Sequence, residues 1–190
     1  MIDSDIAVYG IEVSIMRRVE IFVGASSIRE QKTWAYPRGN KSGRFSVPVY
    51  ECMVLGSDGK GNRVQERFEV LRFGVQCEEG KTARVVGLAD QQTHKIKAWI
   101  PTYSVHSASP NEDGAWQVFN NFLIHDGPDN STEIFAPIGC IETGPSGSNQ
   151  FNNLLISLAA LKTTYRDHQL AEIGSKVKYI LRILKLVALH

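Results

Sequence analysis

The 190-residue chain holds only three cysteines, Cys52, Cys77 and Cys140, an odd number at wide and irregular spacing. No CxxC or CxxH pair occurs, which argues against a structural zinc site, and the spacing suggests no disulfide framework. An excess of one charge is also lacking: 21 Lys and Arg against 20 Asp and Glu leave +1, too little to point to a nucleic-acid partner. The most apolar run, Tyr179 to Leu189, falls short of the ~20 residues of a spanning helix and carries Arg182 and Lys185. No membrane span is therefore expected. The opening MIDSDIAVYGIEVS has acids near its start and no long apolar core, unlike a secretory signal, so synthesis as a soluble cytoplasmic chain is expected. Internal repeats and low-complexity linkers are absent. Compact acidic clusters are scarce too. Asp126, Asp129, Glu133 and Glu142 match no compact ligand set with His125, so neither a metal nor a cofactor is expected.

What is present is a hydrophobic content of 43%, enough for a packed core, in a length that suits a single domain over 1–190. Residues 6–24 are rich in Ile and Val and read as one or two strands, and 25–43 as a polar loop in which Trp34 and Tyr36 pack locally or line a groove. GRFSVPVYECMVLG and RVQERFEVLRFGVQC flank Asp58-Gly59 and Gly61-Asn62, the signature of a hairpin. Cys52 and Cys77 fall in these strands, where a thiol acts as a small buried hydrophobe. A short strand, ARVVGL, a polar lead over 89–94 and a β-rich run over 95–108 follow. Short strands with close turns to about residue 142 are the pattern of a sandwich or barrel.

The texture then changes. Ser148 is a candidate N-cap, and Phe151, Leu154, Leu155, Leu158 and Leu161 recur at helical spacing, with Asn152, Asn153 and Lys162 outward. A weaker helical signal covers Tyr165–Ile173, ended by Gly174, and the segment from Val177 reads as a closing strand or a helix, its β-branched start favouring strand. The expected fold is mainly β, a sandwich- or barrel-like sheet with one or two α-helices in the C-terminal third. Residues 1–90 form a β-rich part without recognised role, and 96–162 hold the candidate site and the following helix.

That site lies in FLIHDGPDNSTEIFAPIGCIE, residues 122–142. A histidine at one strand end and a cysteine at the start of another can face each other across paired strands, so that the imidazole lowers the effective pKa of the thiol. Cys140 is the candidate nucleophile and His125 its base, with the ring expected near the surface. Gly139 lets a substrate carbonyl approach the backbone, whose N–H groups then serve as an oxyanion hole. Asp126 points to the opposite face if the strand continues, and either orients the imidazole through its backbone carbonyl or caps the turn. Tyr103 and His106, in TYSVHS, are candidate substrate contacts, and His106 is a second imidazole if a neighbouring strand carries it.

IHDGPDNSTEIFAPIGCIE resembles the signature of the L,D-transpeptidase catalytic-domain family, a histidine-glycine loop followed about sixteen residues later by a Ser-His-Gly-Cys-Ile/Val-Arg strand. TYSVHSASPNEDGAWQVFNNFLIH matches the strands that lead to the histidine more weakly. The chain differs in having Ile138 where the family has its second histidine, Glu142 where it has arginine, and Asp126 between His125 and Gly127. The resemblance implies a largely β fold with a helix by the active-site sheet, Cys140 as nucleophile, His125 as base and peptidoglycan stem peptides as substrate. An acyl-enzyme formed at an L,D-peptide bond would pass to an amine or to water. Acting on the wall without a signal peptide implies a toxin delivered into a rival's periplasm by a contact-dependent secretion machine or a phage-encoded lysis factor, with an immunity or delivery protein as a further partner. The alternative is a non-catalytic β-rich binding or structural module of a phage or secretion apparatus. A papain-like order, cysteine before histidine and opening a helix, is not the one found.

Overall fold

Val19, Ile21 and Val23 are buried while Glu20 and Phe22 between them are only partly so, the period of two that makes a half-buried strand. This is the start of β1 (Arg18–Trp34). The computed structural model describes residues 18–34, 44–76, 82, 84–87, 92–107, 109–120, 122–128, 139–144, 147–173 and 178–183. After β1 come β2 (Arg44–Ser57), β3 (Arg63–Leu71), β4 (Phe73–Gln76), β5 (Arg84–Gly87), β6 (Gln92–Lys95), β7 (Ala98–Ile100), β8 (Ala115–Phe119), β9 (Phe122–Asp126) and β10 (Ile141–Thr143). Helices α1 (Gly147–Ala159) and α2 (Arg166–Glu172) follow, then β11 (Lys178–Ile183). The protein is mainly β, with its two described helices within 147–172.

The expected β2–β3 hairpin forms, from Val49 opposite Leu71 to Ser57 opposite Arg63. Its turn is held by the Asp58 carboxylate, which accepts from the Lys60 and Asn62 N–H groups at 2.8 Å each, while Gly61 takes φ +88°. Ten residues read as loop, 25–34, are instead the second half of β1, paired with β2 through Trp34 opposite Arg44. Their polarity reflects a largely solvent-facing ribbon, and Trp34 packs locally, with the Arg44 guanidinium 5.4 Å from its ring centroid. Tyr36, Cys77, the chain before residue 18 and residues 129–138 of the candidate-site stretch lie outside the described residues.

Two further readings change. Residues 92–94, taken as part of a polar lead, belong to strand β6, and of the described residues 95–107 only Lys95 and 98–100 are strand before the chain turns at Pro101. The last described segment is a strand, and β11 runs parallel to β1 from Arg18 opposite Lys178 to Val23 opposite Ile183.

Nine strands form one sheet in the order β6-β11-β1-β2-β3-β10-β9-β8-β7, with β4 and β5 paired apart. Its two edges, β6 and β7, are consecutive in the chain. The Ile96 N–H donates to Tyr179 O of β11 at 3.1 Å, and the next N–H, of Lys97, donates to Gln117 O of β8 at 2.8 Å. One extended segment thus joins both margins, and the sheet closes on itself as a barrel-like wall.

The main core lies on one face of this wall. Val19, Ile21, Cys52, Val54, Val70, Trp116, Ile124, Ile141 and Tyr179 pack there with Phe151, Leu155 and Leu158 of α1. Helix α1 has no acid in its first turn and no base in its last, so its dipole is uncompensated and the packing of its apolar stripe holds it. Burying each of those three side chains is worth up to about 1.5–3 kcal/mol. Asn152, expected outward, is buried and its Oδ1 accepts from Trp116 Nε1 at 2.8 Å, because a tryptophan N–H inside a core needs an acceptor. A second apolar cluster, Val47, Val49, Leu71 and Val75, sits on the opposite face of β2 and β3. That opposite face also carries the candidate site.

Candidate active site

Strands β9 and β10 run parallel and adjacent, with Ile141 opposite Ile124, Glu142 opposite His125 and Thr143 opposite Asp126. Side chains alternate along each strand. Ile124 and Ile141 enter the main core, so His125 and Glu142 project from the other face, beside Leu71 of the second cluster, which pairs with Glu142. Cys140, two residues before Glu142, returns to the His125 side and takes a hydrogen bond from the Leu123 backbone. Along the strands the Cys140 row lies about 6.6 Å from the His125 row, two residues of strand rise. Histidine and cysteine were expected face to face across the two strands; Glu142 rather than Cys140 stands directly opposite His125.

Two glycines make this approach possible. Gly139 has φ +104°, a region that an L side chain enters only with strain, and it delivers Cys140 to the start of β10. Gly127 follows Asp126 where a Cβ would stand 2.5 Å from Thr143 O, so only glycine lets the chain leave β9 against β10.

The His125 ring is not near the surface as expected: the side chain is 1% exposed. Tyr103 and His106 lie against His125 on this face, and β8 flanks β9 with Ala115 opposite His125. Nδ1 donates to the backbone carbonyl of Asp126 at 2.5 Å, which fixes the tautomer and leaves Nε2 as the acceptor. Asp126 thus orients the imidazole through its carbonyl, while its carboxylate points with Ile124 to the opposite face and is buried there. Tyr103 packs on His125 with ring centroids 4.7 Å apart, and its hydroxyl lies 3.4 Å from Nε2 as donor.

His106 was expected on a neighbouring strand. It sits instead in the segment after β7, with φ +67°, a left-handed conformation that costs a non-glycine residue on the order of 1 kcal/mol. It still reaches the site. Its ring is parallel to that of His125 within 6° at a centroid distance of 6.4 Å. The Glu142 carboxylate spans the two imidazoles, with Oε2 3.7 Å from His106 Nε2 and Oε1 3.9 Å from His125 Nε2. The structure so brings together Cys140, His125, Tyr103 and His106, and adds Glu142, which the sequence offered only as a dismissed metal ligand and a substitution for arginine. The signal was present: residues two apart on one strand share a face.

Burial sets the charge states. The Cys140 thiol is pushed up to about 11, chiefly by desolvation, with the Glu142 charge adding to the rise and the Leu123 hydrogen bond opposing it. His125 is pulled down to about 4 by its burial, against the Asp126 hydrogen bond and with the His106 charge. Tyr103 is raised by burial and by the nearby Cys140 and Glu142 charges. With the thiol raised and the imidazole lowered, the resting pair is thiol and neutral imidazole. Cys52 is a buried core thiol as expected, pushed up to about 12 by desolvation. Among the described residues no group of three or more His, Cys, Asp or Glu side chains is arranged to hold a metal ion, and no helix is long and apolar enough to cross a membrane.

Compared with protein-family models, with curated proteins and with solved structures, the chain matches none.

Proposed function

We propose that the protein is a cysteine-nucleophile acyltransferase or peptidase of L,D-transpeptidase type, acting on peptidoglycan stem peptides. The observation that carries this reading is the carbonyl-anchored imidazole of His125, its Nε2 turned into a buried polar cluster on the face that Cys140 shares. The substrate class rests on the resemblance of residues 124–142 to that family.

The chemistry starts from the neutral pair. His125 Nε2 takes the Sγ proton as the sulfur electron pair adds to the peptide carbonyl carbon, so charge develops only with substrate in place. The carbonyl oxygen gains the negative charge beside the Gly139–Cys140 backbone. On collapse the C–N bond breaks, the leaving amine takes the proton from His125, and a thioester remains on Cys140. Water or a second amine then attacks the thioester by the same steps in reverse. Tyr103, packed on His125, is placed to contact substrate or to steady the base. The reading includes delivery to the periplasm as an antibacterial effector or phage-encoded wall enzyme, with an immunity or delivery protein as partner.

One observation favours the second reading, a non-catalytic β-rich module of a phage or secretion apparatus: Cys140 is only 5% exposed. Thiol alkylation by iodoacetamide, followed residue by residue by mass spectrometry across pH, separates the two. The enzyme reading expects Cys140 to react faster than Cys52 near neutral pH, and His125→Ala to remove that advantage. Equal rates at Cys140 and Cys52 would instead leave a binding module. Digestion of muropeptides by the wild type, lost in Cys140→Ala and kept in Cys52→Ala, then tests the substrate.

A further inference from the structure

Glu142 occupies a place that the acyl-transfer chemistry does not by itself require. Its carboxylate is 1% exposed, and each of its oxygens is directed at the Nε2 of a different histidine. We propose that Glu142 is a positioning residue for His125: set between two parallel imidazoles, its carboxylate meets the positive charge that His125 acquires with the Cys140 proton, while His106 holds the other oxygen in line. The inference rests on the acyl-transfer reading of the same site.

Three features support it. The strand register puts Glu142 directly opposite His125 on the same face of the sheet. The rings of His106 and His125 are parallel within 6°, which presents both Nε2 atoms to one planar carboxylate between them. His106 stands at that position with a left-handed φ of +67°, a conformation uncommon for a non-glycine residue. The titratable groups around Glu142 are His106 and Tyr103 from the segment after β7, His125 from β9 and Cys140 at the start of β10, whereas β3 presents the apolar Leu71. In the step concerned the Sγ–H bond breaks, an Nε2–H bond forms on His125, the electron pair stays on sulfur, and Glu142 gains no proton.

Glu142 acts in opposite senses on the two members of the pair. It lies 3.9 Å from His125 Nε2, where it favours the imidazolium, and its charge also raises Cys140, where it disfavours the thiolate. Glu142→Gln keeps the shape and removes the charge, so the pH dependence of Cys140 alkylation by iodoacetamide should change in two directions. Near neutral pH, where the reactive thiolate arises by transfer to His125, the rate falls about tenfold, the factor of one pKa unit. At alkaline pH, where hydroxide takes the proton, the rising limb moves to lower pH. Glu142→Asp, which keeps the charge, stays close to wild type. A Glu142→Gln profile that overlays wild type, or lies below it by one factor at every pH, overturns the proposal and leaves Glu142 a structural residue. If Glu142→Gln does not fold, His106→Gln carries the test. It removes the partner that holds the second oxygen while leaving the Glu142 charge, so the neutral-pH rate falls with the alkaline limb unmoved, and an unchanged neutral-pH rate, or a fall by one factor at every pH, sinks the proposal. Failure of the underlying reading looks different, because wild-type Cys140 would then react no faster than Cys52.

Discussion

At the scale of single residues, burial rather than pairing dominates the site, and stability should record it. His125 has an ordinary value of 6.5 and is pulled down to about 4 in the folded protein. Between those values the unfolded chain binds the proton and the folded one does not. The contribution is complete above 6.5 and is lost as pH falls through the window to about 4. The loss amounts to roughly 3 kcal/mol. Cys140 has the opposite sign, since a thiol raised from 9.0 to about 11 loses stability as pH rises through that range. Urea unfolding at a series of pH values should thus give a plateau around neutrality with both flanks falling, and His125→Asn should flatten the acid flank. An unchanged acid flank in that variant would show that His125 is not buried as a neutral ring. The residues of this cluster were legible to different degrees. His125 and Cys140 stood out because each closes or opens an apolar run beside glycine. The exposure of the His125 ring did not follow from the sequence, because Tyr103 and His106, some twenty positions earlier, lie against it.

At the scale of elements, hydrophobic periodicity located α1 and turn dipeptides the β2–β3 hairpin, while the last segment stayed open between strand and helix; periodicity failed where polarity had another cause. The ribbon over 25–34 is polar because it is largely solvent-facing, yet it is strand because β2 satisfies its backbone. Asn152 failed in the reverse sense, since a polar residue beside Phe151 was placed outward by type alone. Its position on the buried stripe is explained by Trp116, which sits 36 residues away and was invisible to a helical wheel. The two can be separated experimentally. Asn152→Ala leaves the Trp116 N–H buried without its acceptor and should cost about 1–3 kcal/mol in chemical denaturation. Ser157→Ala, on the exposed side of the same helix, should stay within about 0.5 kcal/mol of wild type. Equal effects of the two substitutions would mean that the contact contributes nothing. A shift in Trp fluorescence confined to Asn152→Ala would tie the loss to that indole.

At the scale of the whole molecule, a sandwich- or barrel-like sheet was legible from the density of short strands, but its order was not. Strand order depends on pairs as distant as β1 with β11, and side-chain patterning carries no record of such partners. The closure is the clearest case, because it rests on two consecutive backbone N–H groups pointing to opposite neighbours, one to Tyr179 and one to Gln117. Lys97 allows that seam to be probed without touching the core, since its side chain is exposed and lies 5.9 Å from the Phe119 ring centroid. Lys97→Ala removes the cation–π contact alone and should cost about 0.5–1 kcal/mol. Lys97→Pro removes that contact and also the N–H that bonds Gln117, leaving a strand acceptor unsatisfied, and should cost about 1–3 kcal/mol more. Because the seam joins β11 and β8, its loss should also raise amide exchange in both strands, not only around the substitution. If Lys97→Pro and Lys97→Ala unfold at the same urea concentration, the hydrogen bond adds nothing and the sheet behaves as an open one. If the proline variant alone unfolds early, with exchange raised along Ala115–Phe119 and Lys178–Ile183, the closed wall is what holds β9 and β10 in register beneath Tyr103 and His106.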